Sequence, residues 1–306
     1  MGGYSRFKTF FMISFLVLVW GGIWPIYKIA LAYSPPLLFA GMRTLLGGLL
    51  LAIPILATYK RIKWKETWHI FLLSGLFNAG INNGANAVGL IYFPAGLSSV
   101  ITFLQPVIVS IFAWLWLKEK LTFVKVIGLF LGFLGVLVVS SHSLSGQQSI
   151  LGILFALINA VSWAFGVIYV KKVGYKVDFM WLLALQFIFG GVILTIAGLS
   201  LENVSDIVWN FPYAAGLLYG AIFGAALSWV VYLKLMKNGD TSKVASFTFL
   251  VPVIAVFCGT LFLGEPFTLY LVIGLGLIAF SIYLVNRRDP KAGMQAVAGK
   301  QLGLTR

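Results

Sequence analysis

The chain has 306 residues, of which 60% are hydrophobic and only 10% are charged, and its formal net charge is +14. Because about a quarter of the residues in soluble domains are charged, this composition excludes an ordinary soluble protein and is typical of an integral membrane protein. The basic residues lie in short gaps between long apolar stretches, so we expect no nucleic-acid partner. The single cysteine, Cys258, lies within an apolar stretch, which excludes a disulfide framework and a thiolate metal site.

The apolar stretches, taken in chain order, predict ten transmembrane helices. A helix needs about 20 apolar residues to cross the hydrocarbon core of a bilayer. The first stretch is longer than the core of a signal peptide and no small-residue cleavage site follows it, so we expect it to be retained. The gaps are too short for a soluble domain, and the predicted fold class is an all-α integral membrane protein. The ten predicted spans are 8–32, 37–58, 68–91, 95–117, 123–141, 150–173, 179–199, 211–235, 244–264 and 268–286.

The positions of the basic residues predict the orientation of these spans, because cytoplasmic gaps carry an excess of Lys and Arg. Basic clusters follow the second, fourth, sixth and eighth spans and flank both ends of the chain, whereas the intervening gaps contain almost none. Both termini are therefore expected in the cytoplasm, with 287–306 as a basic cytoplasmic tail. The clusters are Lys60, Arg61, Lys63 and Lys65, then Lys118, Lys120 and Lys125, then Lys171, Lys172 and Lys176, then Lys234, Lys237 and Lys243.

The two halves of the chain resemble each other. A shift of 143 residues pairs Trp20 with Trp163, and a shift of 146 pairs the segment 102–108 with 248–254. Each half holds five spans, an odd number, so the second half is expected to be inverted in the membrane. We predict repeats at 8–141 and 150–286. Inverted repeats are typical of carriers, in which two related halves expose one central site alternately, although some channels have them too.

Three features together resemble the drug/metabolite transporter superfamily in its EamA-type branch. They are the Trp20-Gly21 pair, Arg43, and the repeated end of each half, 104–128 and 250–274. The resemblance covers about residues 10–286, and it implies ten helices, an inverted repeat and export or exchange of small solutes across a bacterial plasma membrane. Small four-helix relatives carry a membrane-embedded Glu in the first span for proton coupling. This chain has no such carboxylate around Trp20, so simple proton antiport is not expected.

Polar side chains within the spans locate a candidate substrate site, because such groups are costly in hydrocarbon unless they face protein or a wet cavity. Asn78, Asn82 and Asn86 recur every four residues and predict a stripe along the third span. Thr102 and Gln105 continue the pattern in the fourth span. The stripe is expected to bind a solute with mixed polar groups, and the alternative is hydrogen bonding between helices.

Two prolines at equivalent positions of the halves, Pro106 and Pro252, are candidate gating residues. Each frees a backbone carbonyl one turn earlier and kinks its helix. A kinked helix suits a gate, and the alternative is a static kink that shapes the bundle.

Aromatic residues near the midplane form a second part of the candidate substrate site. Trp20 and Trp24 share one face of the first span with Tyr27, and Asn159 and Trp163 lie in the sixth span. The repeat predicts that the two equivalent tryptophans, Trp20 and Trp163, face each other across a central chamber, where aromatic rings bind planar, apolar or cationic groups.

Arg43 lies about 9 Å inside the second span, and its guanidinium remains charged at that depth. The sequence leaves two alternative partners for this guanidinium. A substrate carboxylate would make Arg43 part of the substrate site, whereas carbonyls at a helix end would make it structural. Its counterpart in the repeat, Gln186, is neutral, so the predicted site is asymmetric.

Glu119 and Glu265 end the fourth and ninth spans and are expected to be structural. Each precedes a threonine, Thr122 or Thr268, that is a predicted N-cap of the next helix. Each Glu is expected to contact the start of that following helix.

These observations predict a secondary transporter, an exporter or facilitator, that moves a small organic metabolite such as an amino acid or aromatic compound. A passive channel and a lipid-handling protein are the alternatives. An enzyme is not expected, since the spans contain no Asp or Glu, and no His deep enough for acid–base chemistry. We expect no cofactor or metal, only the solute and the lipid bilayer as partners, and function as a monomer.

Overall fold

The computed structural model describes residues 6–118, 122–144, 150–238 and 250–287, and every regular element within these ranges is helical. Residues 244–249 of the ninth predicted span and most of the predicted tail lie outside them. The all-helical class is therefore confirmed for the part of the chain described. Six helical stretches are long and apolar enough to cross a bilayer, namely Phe7–Tyr33, Pro36–Arg61, Ala95–Leu117, Ile150–Lys176, Phe179–Leu201 and Phe211–Tyr232.

The first half of the chain forms seven α-helices within these ranges. A π-helical segment, Gly75–Ile81, joins α3 to α4, so that these two form one continuous helical stretch. The fourth predicted span is broken at Phe103 and Leu104, and Pro106 is the second residue of the helix that follows. The helices are α1 (Arg6–Ala30), α2 (Pro36–Ala52), α3 (Trp64–Ser74), α4 (Asn82–Tyr92), α5 (Ala95–Thr102), α6 (Gln105–Leu117) and α7 (Phe123–Leu144).

The second half follows a similar course. A second π-helical segment, Gly220–Leu227, joins α10 to α11. It begins 145 residues after the first, close to the offset at which the sequences of the two halves align. The helices are α8 (Ile150–Val173), α9 (Phe179–Leu201), α10 (Phe211–Tyr219), α11 (Ser228–Asn238), α12 (Leu250–Leu263) and α13 (Leu269–Asn286).

Helices of the two halves pack on each other throughout the bundle. The two most extensive contacts join α2 to α9 and α7 to α13. In addition, α1 packs on α12 and on α10–α11, while α8 packs on α5–α6 and on α4. The first π-helical segment packs on α9 and the second on α2.

Glycines bring the backbones of α2 and α9 close together. A Cβ added to Gly48 would lie 2.6 Å from the backbone N of Ile188, and one added to Gly191 would lie 2.5 Å from the backbone N of Leu45. Small residues at such contacts are how membrane helices gain packing energy, since the surrounding lipid is as apolar as the side chains.

The outer surface of the bundle is apolar, as expected for contact with lipid. Phe123, Phe211 and Phe262 expose 78%, 84% and 67% of their surface, respectively. By contrast, Trp20 and Tyr27 are buried in the largest hydrophobic cluster. Large apolar side chains on the outside are unfavourable in water and favourable in hydrocarbon, which agrees with a multi-span membrane protein.

Two carboxylates cap helices of the other half at one end of the bundle. Glu202 accepts hydrogen bonds from the backbone N–H groups of Leu37 and Leu38, each at 2.8 Å, at the start of α2. Glu265 accepts from Ala95 at 2.5 Å and Gly96 at 2.9 Å, at the start of α5. These bonds satisfy helix-terminal donors and place a negative charge at the positive end of each helix.

The expected contact of Glu265 with the helix that follows it is therefore wrong. The described cap of that helix is Thr268, which accepts a hydrogen bond from Leu271 N at 3.2 Å. Glu265 instead reaches the first half of the chain, where its two carboxylate oxygens accept hydrogen bonds from the start of α5. Glu119 lies outside the described residues.

The corner between α4 and α5 is also held from its other side. Lys28 of α1 donates hydrogen bonds to the backbone carbonyls of Leu90 and, at 2.9 Å, Phe93, at the end of α4. Lys28 thus stabilises carbonyls that have no partner within their own helix. We refer to Lys28, Glu265 and the corner 90–96 that they hold as the corner clamp.

Candidate functional site

A cavity of about 90 Å³ lies inside the bundle, where helices of both halves meet. Its lining comes from α1, α2, α4, α5 and the α5–α6 break in the first half, and from α8, α9, the second π-helical segment and α11 in the second. The lining residues are Trp20, Ile23, Trp24, Tyr27, Arg43, Asn82, Asn83, Asn86, Thr102, Phe103, Asn159, Trp163, Phe187, Gly224, Ala225 and Trp229.

The structure brings together most of the residues that the sequence predicts for the substrate site. Three predicted residues, Asn78, Gln105 and Gln186, do not line the cavity and are buried elsewhere. The predicted residues that line it are Trp20, Trp24, Arg43, Asn82, Asn86, Thr102, Asn159 and Trp163.

The predicted asparagine stripe divides at the first π-helical segment. Asn78 lies inside that segment and donates a hydrogen bond to Gln186 Oε1 at 3.4 Å, away from the cavity. Asn82 and Asn86 follow the segment and line the cavity. A π-helical turn contains an extra residue, so side chains before and after it no longer share the face that a regular α-helix would give them.

Asn82 joins the two halves of the chain at the cavity. Its Nδ2 donates to the side-chain Oδ1 of Asn159 in α8 at 2.7 Å. Gly166 of the same helix allows the close approach of Asn78, since a Cβ at Gly166 would overlap with that amide. The third and sixth predicted spans therefore contact each other through amides.

Arg43 has only neutral partners among the described residues. Its Nη1 donates to Tyr27 Oη at 3.1 Å and its Nη2 donates to Asn83 Oδ1 at 3.3 Å. The guanidinium carbon lies 4.2 Å from the centre of the Tyr27 ring and 5.7 Å from that of Phe39. The expectation that helix-end carbonyls bind Arg43 is wrong, because the side chain extends across the bundle to α1 and α4.

The charge of Arg43 is buried, since the residue exposes 4% of its surface. The effective penalty for burying one ion is several kcal/mol. A hydrogen bond to a charged group contributes about 1.5–3 kcal/mol and a desolvated cation–π contact about 2 kcal/mol, so the contacts of Arg43 are of the same size as the penalty. Its partners are neutral and its positive charge is not compensated by a described carboxylate, so an anionic group in the cavity would interact favourably with it.

Aromatic rings form the wall on the side of α8 and α11. Trp20 lies edge to face with Trp163, with 6.2 Å between ring centroids, and 6.3 Å from Trp229. Phe103 lies 5.8 Å from Trp163, and Phe187 lies 5.4 Å from Trp229. The two tryptophans that the repeat makes equivalent are thus in direct contact at the cavity.

Four side chains at the cavity carry a buried polar atom without a hydrogen-bond partner in the part of the chain described. They are Arg43 Nε, Asn86 Oδ1, Thr102 Oγ1 and Trp163 Nε1. An unsatisfied buried polar group costs about 1–3 kcal/mol, so native proteins rarely keep one without a ligand, water or function. Their grouping around one cavity identifies it as a candidate binding site.

Several lining residues were not predicted from the sequence. Asn83 directly follows the predicted Asn82, and the π-helical segment turns both towards the cavity. Phe103, Phe187 and Trp229 are apolar residues in apolar spans, so polarity gives no signal for them. Trp20 lies at the middle of its predicted span, whereas Trp229 lies six residues from the end of its own, so depth did not single it out.

The candidate gating prolines both lie near the start of a helix as described. Pro106 follows the break between α5 and α6, and Pro252 is buried in α12, close to residues 239–249, which lie outside the described ranges. Pro106 has no N–H, so it cannot bond the carbonyl of Thr102, a residue that lines the cavity.

One sequence comparison decides the family. The model of the EamA-like transporter family matches residues 7–141 and, a second time, residues 150–287. The chain belongs to the EamA-like transporter family. It is therefore a membrane transporter of the drug/metabolite transporter superfamily, in agreement with the resemblance in its sequence.

Bacterial relatives match most of the length of this EamA-type transporter. It is 49% identical over 292 residues to "Uncharacterized transporter YvbV" of Bacillus subtilis (strain 168), with 95% of each chain covered. It is 29% identical to "Uncharacterized inner membrane transporter YedA" of Escherichia coli (strain K12), over 89% of this chain and 88% of that one. A crystal structure at 18% identity matches with a TM-score of 0.65, covering 92% of this chain and 96% of the other, which supports the fold alone.

Proposed function

We propose that this EamA-type transporter is a secondary carrier, an exporter or facilitator, that moves a small organic metabolite such as an amino acid or aromatic compound across the plasma membrane by alternating access. The observation that carries the proposal is the cavity between the two halves, with its buried polar atoms that lack partners. A solute that binds there satisfies those atoms. We also propose function as a monomer, because one chain supplies the whole lining described.

The proposed architecture is ten transmembrane helices in two inverted five-helix repeats, with both termini in the cytoplasm. The packing pattern supports it, since the most extensive contacts between the halves have counterparts when the halves are exchanged. The contact of α1 with α12 corresponds to that of α8 with α5–α6, and the contact of α8 with α4 corresponds to that of α1 with α10–α11. The two π-helical segments, 145 residues apart, pack on α9 and α2 in the same reciprocal way.

The corner clamp supports a gate at the end of the bundle that the basic residues predict to be extracellular. Lys28 and Glu265 belong to opposite halves, and both hold the corner between α4 and α5. Both of those helices contribute residues to the cavity. Moving the corner away from α1 and α12 would open the cavity towards this end, so the clamp is expected to break in the outward-open form.

A test of alternating access uses Asn82→Cys in a Cys258→Ala background, which removes the native thiol. A membrane-impermeant maleimide is applied to one side of proteoliposomes with uniform orientation. We expect labelling from one side to be fast and from the other to be slow, and a bound solute to slow both. Equally fast labelling from both sides at once would identify a channel.

Control cysteines test the orientation in the same experiment. Tyr175 lies in a gap predicted to be cytoplasmic and Val204 in one predicted to be external, and both are exposed. We expect Tyr175→Cys to react only from the side of the termini and Val204→Cys only from the opposite side. The reverse pattern would overturn the proposed orientation.

A further inference from the structure

We propose that the solute is a small organic anion with a carboxylate and no amino group, an inference that rests on the proposed transport function and narrows its substrate class. Most of the buried polar atoms without partners at the cavity are able to donate a hydrogen bond. Of the four polar atoms without partners there, Arg43 Nε, Thr102 Oγ1 and Trp163 Nε1 can donate, and only Asn86 Oδ1 is solely an acceptor. A carboxylate accepts up to four hydrogen bonds and matches such a set.

The charge of the cavity favours an anion for a second reason. Arg43 is the one charged residue among the described residues that line it. All eight Asp and Glu residues of the chain lie outside the ten predicted spans. A carboxylate that binds beside Arg43 therefore meets a positive charge whose described partners, Tyr27 and Asn83, are neutral.

An ammonium group in this cavity would meet the positive charge of Arg43, and the described lining holds no carboxylate that would compensate it. The acceptor oxygens of Asn83 and Asn159 are already bound to Arg43 and Asn82. The face of the Tyr27 ring is covered by the Arg43 guanidinium at 4.2 Å, which leaves the tryptophan rings of the wall for a cation–π contact. A zwitterion would gain at its carboxylate and lose at its ammonium through repulsion by Arg43.

The volume of the cavity limits the size of the anion. About 90 Å³ is well below the 300–1,000 Å³ range of pockets for drug-sized ligands. A compact carboxylate fits this volume, with its apolar part against Trp20 and Trp163, whose rings meet edge to face in the wall.

The test compares solutes that differ only in charged groups. Propanoate is compared with alanine, propanamide and propylamine. Binding to the purified full chain in detergent is followed by the intrinsic tryptophan fluorescence, to which the cavity tryptophans contribute. We expect propanoate to bind at least tenfold more tightly than the amino acid, the amide and the amine.

Two variants separate this preference from a loss of folding. Asn86→Asp places a negative charge in the cavity that offsets the charge of Arg43, so it is expected to weaken binding of propanoate and to tighten binding of propylamine; tighter binding of propylamine cannot arise from unfolding. Thr102→Val removes one donor with little change in shape, and it is expected to weaken binding of propanoate about tenfold while leaving propylamine unchanged.

The outcomes distinguish the two proposals. Tighter binding of alanine or propylamine than of propanoate to the unmodified chain overturns the anion proposal, whether or not the chain transports. Saturable exchange of alanine in proteoliposomes, with none of propanoate, leaves the carrier standing and refutes the anion. Tight binding of propanoate without exchange of any solute supports the anion site and contradicts the carrier.

Discussion

The corner clamp makes a prediction that can be worked from its geometry. Glu265 accepts two backbone hydrogen bonds, from Ala95 at 2.5 Å and from Gly96 at 2.9 Å. A hydrogen bond to a charged group contributes about 1.5–3 kcal/mol and a neutral one about 1 kcal/mol. Glu265→Gln keeps one acceptor oxygen and loses the charge, so it is expected to weaken the clamp by about 2 kcal/mol.

This loss of about 2 kcal/mol corresponds to roughly a 30-fold change in an equilibrium constant. If the clamp breaks in the outward-open form, Glu265→Gln raises the population of that form by this factor. The assay is external maleimide labelling of Asn82→Cys in the Cys258→Ala background. The labelling rate is proportional to the outward-open population, and we expect it to rise up to about 30-fold.

Glu202→Gln is the matched control. Glu202 makes the same pair of bonds, at 2.8 Å each, to the start of α2. It caps α2 from the end of α9, and these two helices form one of the most extensive contacts of the bundle, so it is expected to lower stability without changing the labelling rate. An unchanged rate in folded Glu265→Gln, or an equal increase in Glu202→Gln, would refute the gating role of the clamp.

Three further predictions concern packing, capping and charge movement. Gly48→Ala is expected to destabilise the fold by about 2 kcal/mol and to lower the thermal unfolding temperature, because the added Cβ would lie 2.6 Å from Ile188 N. Gly276→Ala is the control and should not lower that temperature, because its added Cβ would have no atom within 4 Å. Thr268→Ala removes an N-cap and is expected to cost about 1 kcal/mol in a denaturation titration. Uptake of propanoate into proteoliposomes is expected to carry a negative charge inwards, since the predicted spans contain no carboxylate to carry a compensating proton. Uptake should therefore be faster at an inside-positive potassium diffusion potential, and electroneutral uptake would contradict this.

The sequence predicts the helical membrane fold well, because the hydrophobicity that marks a span is summed over all of its residues. Each span needs only about 20 apolar residues, and local errors cancel over that length. The break at Phe103 and Leu104 within the fourth predicted span was not located to these residues, although Pro106 indicated a kink. The π-helical segments were missed entirely, because the apolar residues of 75–81 and 220–227 give no periodic signal for one extra residue in a turn.

Only part of the candidate site was predicted, because the prediction depended on residues that differ in polarity from the rest of their span. Polar residues such as Asn82 and Thr102 stand out in an apolar span, whereas Phe187 and Trp229 do not. Asn78 was assigned to the wrong surface because a stripe with a spacing of four assumes a regular α-helix, and the π-helical segment interrupts it. The partners of Arg43 depend on contacts between distant spans, which no local pattern reports.

The structure also explains why two basic residues within apolar spans have different contacts at different depths. Lys28 binds carbonyls at a helix end, while Arg43, deeper in the bundle, is held by Tyr27 and Asn83 and reaches the cavity. Both cations lie in apolar spans and look alike in the sequence. The packing of α4 against α1 and α2 places Lys28 at the helix end and Arg43 at the cavity.

Counterflow in proteoliposomes tests the central claim, that this chain is a carrier, most directly. Vesicles with the purified protein are loaded with a high concentration of unlabelled propanoate, alanine or phenylalanine in turn and diluted into the same labelled solute. A carrier predicts transient, saturable accumulation of label for at least one of them, lost in a folded variant with Trp163→Ala and Asn82→Ala. Equilibration without accumulation, at a rate proportional to concentration, would contradict the account and identify a passive pore.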